Sequence, residues 1–138
     1  MSSNEKVTIT GTVVGGIGKG AFFISLDWVR AGLRQLMGEH PYPGTLNLRV
    51  PVEVRETLFE RRKNFVRIAL ADTEDCPGYL LDVWLRTLNG TELAAWVILP
   101  DLTSHTDILE VVSQFCLRTK LGIRDGDPVI VTVRVAAE

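Results

Sequence analysis

Residues 79–99 read YLLDVWLRTLNGTELAAWVIL, two apolar runs on either side of Asn89-Gly90. Asn-Gly flanked by such runs is the strongest short-range hairpin signal, because both residues tolerate the positive φ of a type I′ turn. The pattern predicts that a strand from Thr91 to Leu99 folds back on Leu80 to Leu88. It therefore sets an antiparallel pair at the centre of the chain, where a parallel pair would need a long crossover.

Strand signals continue on both sides of this hairpin. Val7 to Val14 alternates Val and Ile with Thr, which places branched apolar side chains on one face and hydroxyls on the other. Gly15, Gly16, Gly18 and Gly20 interrupt it, and Ala21 to Ser25 resumes an apolar strand-like run. Asp27 suits the cap of a helix from Trp28 to Met37, with Val29, Leu33, Leu36 and Met37 on one stripe and Gly38 at its end. Pro41-Tyr42-Pro43-Gly44-Thr45 forms a turn into an alternating strand, Leu46 to Val50. Residues 51–64 are charged and receive no assignment. Phe65 to Leu70 reads as a strand, Asp75 to Gly78 as a turn.

Towards the end of the chain, Thr106-Asp107 resembles the cap and acidic first turn of a helix running to about Lys120. Ile108, Val112 and Phe115 make its apolar stripe and Gly122 closes it. Asp125-Gly126-Asp127 turns into a Val/Ile-rich strand from Pro128 to Val135. Six or seven strands, two helices and hairpin-length connections predict a mainly β protein: an antiparallel barrel with two attached helices, not a doubly wound parallel sheet.

At 138 residues the chain suits one domain, since a second core would have too little apolar material. Its 46% hydrophobic and 23% charged residues exclude a long disordered tract. A net charge of −2 with scattered basic residues gives no footprint for nucleic acid. No secretory leader or membrane span is evident. Cys76 and Cys116 lack the spacing of a zinc site or a disulfide framework, which predicts reduced thiols in a cytoplasm. The sequence fixes no oligomeric state, and a monomer is the simplest expectation.

Three features carry candidate chemistry. Gly15 to Gly20 brings backbone N–H groups together without β-carbons, so it can cradle an anion. Its spacing matches neither standard nucleotide motif, and a bulged turn fits the bare sequence as well. Thr45 and Asn47 stand two apart on a strand and present a hydroxyl and an amide oxygen to one face. Mg²⁺ takes such hard oxygens and fills its other positions with phosphate and water, although Thr-x-Asn after a turn can equally satisfy local backbone groups. The third feature is the Thr103-Ser104-His105 loop with Glu110 and Arg118 on the expected helix behind it. Charges eight apart there also suit a solvated face, and a lone His commonly makes only local hydrogen bonds.

Taken in order, Gly16-Ile17-Gly18-Lys19-Gly20-Ala21, then Thr45 and Asn47 within PYPGTLN, then Thr103, Glu110 and Cys116-Leu117-Arg118-Thr119, the chain resembles the archaeal CTP-dependent riboflavin kinases from about Thr8 to Val135. The resemblance implies a six-stranded cradle-loop barrel that transfers the terminal phosphoryl group of CTP to the 5′-hydroxyl of riboflavin, giving FMN and CDP. It implies that residues 16–21 and 116–119 bind the nucleotide, that Thr45 and Asn47 hold Mg²⁺, and that Thr103 and Glu110 contact the flavin. It names no general base. Ala21 stands where the family often has a basic or larger residue, and Cys116-Leu117-Arg118-Thr119 replaces the usual Lys-Leu-Arg-Glu. These departures leave open another nucleotide donor, another acceptor, or a non-catalytic flavin- or nucleotide-binding module.

Overall fold

The computed structural model describes residues 6–15, 27–61, 67–69, 78–100 and 107–134. Its strands are β1 (Lys6–Val14), β2 (Leu46–Arg49), β3 (Arg67–Ala69), β4 (Gly78–Thr87), β5 (Glu92–Pro100), β6 (Ile108–Val112) and β7 (Pro128–Arg134). The helices are α1 (Asp27–Met37), α2 (Val52–Glu60) and α3 (Leu117–Leu121).

Every pairing is antiparallel. The order β4-β5-β6-β2-β1-β7 returns from β7 to β4, closing a six-stranded barrel, while β3 extends the far end of β4. Alternation fills the interior from all six strands, with Ile9, Leu48, Val83, Val97, Leu109 and Val131 among a single apolar cluster. Closure leaves the barrel without an open edge, the usual liability of an antiparallel sheet. β1 and β2 approach closely because residue 11 is glycine: a β-carbon there would come within 2.9 Å of Leu48 Cβ.

Outside the wall, α1 buries Leu33, with Met37 beside it, against Leu80 of β4, Ile98 of β5 and Val112 of β6. α2 sends Leu58 into the barrel core. α3 contributes Leu117 and Leu121 to the same core. None of the helices among the described residues is long and apolar enough to cross a membrane.

Three expectations need correction. The helix expected from 106 to about 120 is instead strand β6 followed by the five-residue α3. Ile108, Val112 and Phe115 do recur at helical spacing, but the segment is rich in β-branched residues. Pairing with β2 on one side and β5 on the other satisfies both neighbours at once, so the strand wins. Glu110 and Arg118 accordingly do not share a helical face.

The second correction adds a helix. Residues 52–60 form α2, for three described helices where two were expected. Pro51 at its N-cap and Glu53 in its first turn are the signals that mark its start.

The third concerns the central hairpin, which forms but through a different turn. Only Gly90, at φ 91°, has positive φ there. Gly90 N–H donates to the Thr87 carbonyl at 3.0 Å and Thr87 N–H to the Thr91 carbonyl at 3.0 Å, so Leu88, Asn89 and Gly90 make a three-residue loop. This is a type I turn followed by a left-handed glycine, and it sets Arg86 opposite Glu92. The expected strand Ala21–Ser25, most of the turn at 75–78, and the glycines at 16, 18 and 20 lie outside the described residues.

Candidate functional site

The outer face of β2 and β6 carries the polar cluster. Leu46 and Leu48 point into the core, so Asn47 between them projects outward. Asn47 is nevertheless only 7% exposed. The Thr45 hydroxyl donates to Asn47 Oδ1 at 3.2 Å, which brings the two predicted donors together. Across the sheet Asn47 lies opposite Val14 of β1 and Glu110 of β6, and Glu110 lies opposite Ile98 of β5. One row thus runs from a polar pair, through a carboxylate, to the apolar surface covered by α1.

Two neutral oxygens 3.2 Å apart suit adjacent corners of a Mg²⁺ octahedron, whose edge is about 2.9 Å for ligands at ~2.0–2.1 Å. Among the described residues no group of three or more His, Cys, Asp or Glu is placed to hold a metal ion. A cation here would take its remaining ligands from water and phosphate, as Mg²⁺ does in phosphoryl-transfer sites.

Arg118 is fixed at the neighbouring end of β1. Its Nη2 donates to the Val14 carbonyl at 3.1 Å and to Asp125 Oδ1 at 2.5 Å. Val14 immediately precedes the glycine run and pairs with Asn47, so Arg118 is anchored between the two candidate elements. The turn at 125–127 locks the same corner, with Val13 N–H donating to the Asp127 carbonyl and Gly126 N–H to the Val13 carbonyl, each at 2.8 Å.

The Pro41–Thr45 turn meets residues 116–119 through Tyr42. Its N–H donates to the Ser113 carbonyl at 2.8 Å. Its phenol shares a hydrogen bond with the Cys116 thiol, which raises the Tyr42 pKa. The Cys116 thiol is lowered below the ordinary thiol value, first by its hydrogen bond with Thr119 and then by those with backbone groups and Tyr42. Thr119 Oγ1 stands 3.5 Å from Cys116 Sγ. Leu117 is different: its side chain belongs to the core and offers no polar group to a ligand.

The structure therefore joins Thr45, Asn47 and Glu110 in one row and ties Arg118, Cys116 and Thr119 to its border. Gly16, Ile17, Gly18, Lys19, Gly20, Ala21, Thr103 and His105 lie outside the described residues. Arg55 was not anticipated. It is 5% exposed on α2, and its Nε donates to the Ile108 carbonyl at 3.3 Å. Burial lowers its pKa, while the nearby Glu110 carboxylate acts in the opposite direction. Its position with Val54 and Leu58 on the inner side of a helix was the available signal.

Comparison with known proteins gives a consistent assignment. Residues 13–133 match the family model CTP-dep_RFKase, described as a domain of unknown function, DUF120. A riboflavin kinase of Archaeoglobus fulgidus is 40% identical over 131 residues, covering 92% of this chain and 54% of that protein. One from Pyrobaculum islandicum is 32% identical, covering 92% and 60%. One from Methanopyrus kandleri is 31% identical, covering 92% and 83%. The chain spans little more than half the length of the first two relatives. With most of its length matched by the family model and 31% identity over most of the Methanopyrus kandleri protein, the chain belongs to the CTP-dep_RFKase (DUF120) family.

Proposed function

We propose that this chain is a riboflavin kinase that transfers the terminal phosphoryl group of CTP to the riboflavin 5′-hydroxyl, giving FMN and CDP with Mg²⁺. The observation that carries the proposal is the Thr45–Asn47 oxygen pair, held beside Glu110 on a nearly buried part of the outer barrel wall. The riboflavin kinase relatives suggest the acceptor, and the family's name suggests the donor.

In this scheme Thr45 Oγ1 and Asn47 Oδ1 would hold Mg²⁺, which would offset the negative charge of the phosphates in a loose, in-line phosphoryl transfer. Backbone N–H groups of residues 16–21 cradle the phosphates, and residues 116–119 border the nucleotide. Arg118, bound to the Val14 carbonyl and paired with Asp125, holds a guanidinium at the root of the glycine run. Thr103 and Glu110 orient the flavin. Rate enhancement then comes from positioning and preorganised electrostatics, which suits a site with no assigned general base. The scheme places the protein in the cytoplasm, with soluble nucleotides as its donors.

The Tyr42–Cys116–Thr119 contacts favour keeping a second donor in view. Where the family commonly has charged residues, this chain presents a thiol and a hydroxyl already engaged with one another. The deciding experiment incubates the folded protein with riboflavin and Mg²⁺ plus either CTP or ATP, and detects FMN by mass spectrometry. FMN with CTP is the expected result. FMN with ATP alone reassigns the donor, and no FMN with any triphosphate rejects the kinase and leaves a binding module.

A further inference from the structure

The turn at 125–127 places a carboxylate beside the segment expected to cradle phosphates. A β-carbon at Gly15 would lie 3.7 Å from Asp125 Oδ2, so this exposed carboxylate stands against the first glycine of the run. A negative charge there repels an anionic ligand unless it is engaged otherwise. It is engaged: Asp125 Oδ1 accepts from Arg118 Nη2 at 2.5 Å, and the same nitrogen donates to the Val14 carbonyl at 3.1 Å.

Both ends of this contact are held by the fold. Arg124 N–H donates to Asp127 Oδ2 at 2.9 Å and Gly126 N–H to the Val13 carbonyl at 2.8 Å, which fixes the turn carrying Asp125 to β1. Leu117 and Leu121 anchor α3 in the core on either side of Arg118. The Arg118 side chain is long and partly exposed, and a single hydrogen bond to Val14 would leave its plane free to turn. A second acceptor on the same nitrogen fixes that plane. It also occupies both N–H groups of Nη2 and leaves the three of Nη1 and Nε without a recorded acceptor among the described residues.

We infer that Asp125 is a positioning residue for the nucleotide: it holds the Arg118 guanidinium so that Nη1 and Nε meet a phosphate of the triphosphate beside the glycine run. The inference rests on the proposed nucleotide-binding role of residues 16–21 and 116–119. Asp125 touches no ligand itself and acts through Arg118. An Arg fork can serve a carbonyl, a carboxylate and a phosphate together, which the point charge of a Lys cannot do with fixed geometry. The sign of the effect is diagnostic. As a bare charge Asp125 would repel the phosphates and its removal would tighten binding, whereas as a positioning residue its removal loosens binding.

The test measures binding of CTP and of ATP with Mg²⁺ for wild type, Asp125→Asn, Asp125→Ala, Arg118→Met and the double variant Arg118→Met/Asp125→Ala. Thermal unfolding and FMN formation at varied nucleotide and riboflavin are followed on the same samples. Asp125→Ala is expected to raise the CTP Kd and KM about tenfold and to leave kcat and the riboflavin KM within about twofold, since a contact made equally in ground and transition states acts on KM. Asp125→Asn keeps one acceptor oxygen and should lose only about threefold. Where ATP proves the donor, the same shifts are expected with ATP. The double variant should bind nucleotide no more weakly than Arg118→Met, since residues acting through one another are not additive. A folded Asp125→Ala with wild-type Kd makes the pair a structural contact only, and a lowered Kd makes Asp125 a repelling charge. Either result overturns the inference, as do losses that add in the double variant. Should Asp125→Ala not fold, Asp125→Asn decides, and an unchanged or lowered Kd overturns the inference. If wild-type protein binds neither CTP nor ATP, the proposed function fails and takes this inference with it.

Discussion

The tripeptide Thr-Leu-Asn occurs twice in this chain, at 45–47 and at 87–89, and the two copies sit in different surroundings. In each, the Thr hydroxyl donates to the amide oxygen of the Asn two residues on. At the second copy that oxygen also accepts from Thr91 N–H at 3.2 Å and from the Thr91 hydroxyl at 3.0 Å. Leu88 between them is 76% exposed at the tip of the hairpin. Here Asn89 closes a turn, the local role that Asn commonly fills.

The first copy lies within the barrel wall. Leu46 is buried in the core and Asn47 has paired strands on both sides, so ladder hydrogen bonds already satisfy the neighbouring backbone. Among the described residues the recorded side-chain hydrogen bond of Asn47 is the one from Thr45. An amide kept 7% exposed without a turn to close retains acceptor capacity for a ligand. Spacing alone does not make a metal site; the proposed one lies where the sheet has relieved the same spacing of backbone duties.

The largest expected effect breaks this contrast directly. Asn47→Leu keeps a similar volume and removes the amide oxygen, so Mg²⁺-dependent turnover should fall at least about tenfold, ~1.4 kcal/mol of transition-state stabilisation. The melting temperature should change little. If instead the protein is destabilised and its Mg²⁺ titration is unmoved, Asn47 is a structural residue like its counterpart in the hairpin. The next effect is the mirror image. Asn89→Ala should lower stability by about 1 kcal/mol, because Thr91 N–H and two hydroxyls lose their common acceptor. Turnover by the remaining folded protein should equal that of wild type, and a matched loss of turnover would deny that the two copies differ.

The same contrast explains what the chain made legible. Long alternating segments such as Val7–Val14 and Pro128–Arg134 announced their strands, because one face of each is buried in the barrel. The hairpin was legible while its loop was not: Asn89 stays at negative φ once its side chain binds Thr91, so a three-residue loop replaces the two-residue turn. The Ile108–Val112 segment satisfied helical and strand periods together, and the decision came from two distant partner strands. The meeting of Thr45 with Asn47 followed from their spacing. Their meeting with Glu110 depended on the β2–β6 register, and Arg55 on the packing of α2 against β6, neither of which is written locally.

The smallest effect separates the two threonines. At 87, a buried residue at the root of an exposed turn, the hydroxyl accepts from Thr91 N–H at 3.2 Å, so Thr87→Ala should cost stability and spare turnover. At 45 the side chain is only partly buried at the start of β2, and Ala would leave space for a water in place of the hydroxyl. Mg²⁺ readily keeps water among its ligands, whereas the Leu of Asn47→Leu would fill that space with carbon. Thr45→Ala should therefore lower turnover only about threefold, ~0.7 kcal/mol, and shift the Mg²⁺ midpoint upward with little change in unfolding temperature. Thr45→Ser, which keeps the hydroxyl, should restore the midpoint. A loss at Thr45→Ala as large as that at Asn47→Leu would mean that water cannot enter and that the two oxygens act as one rigid clamp. An unmoved Mg²⁺ midpoint would confine the metal, and the contrast between the tripeptides, to Asn47 alone.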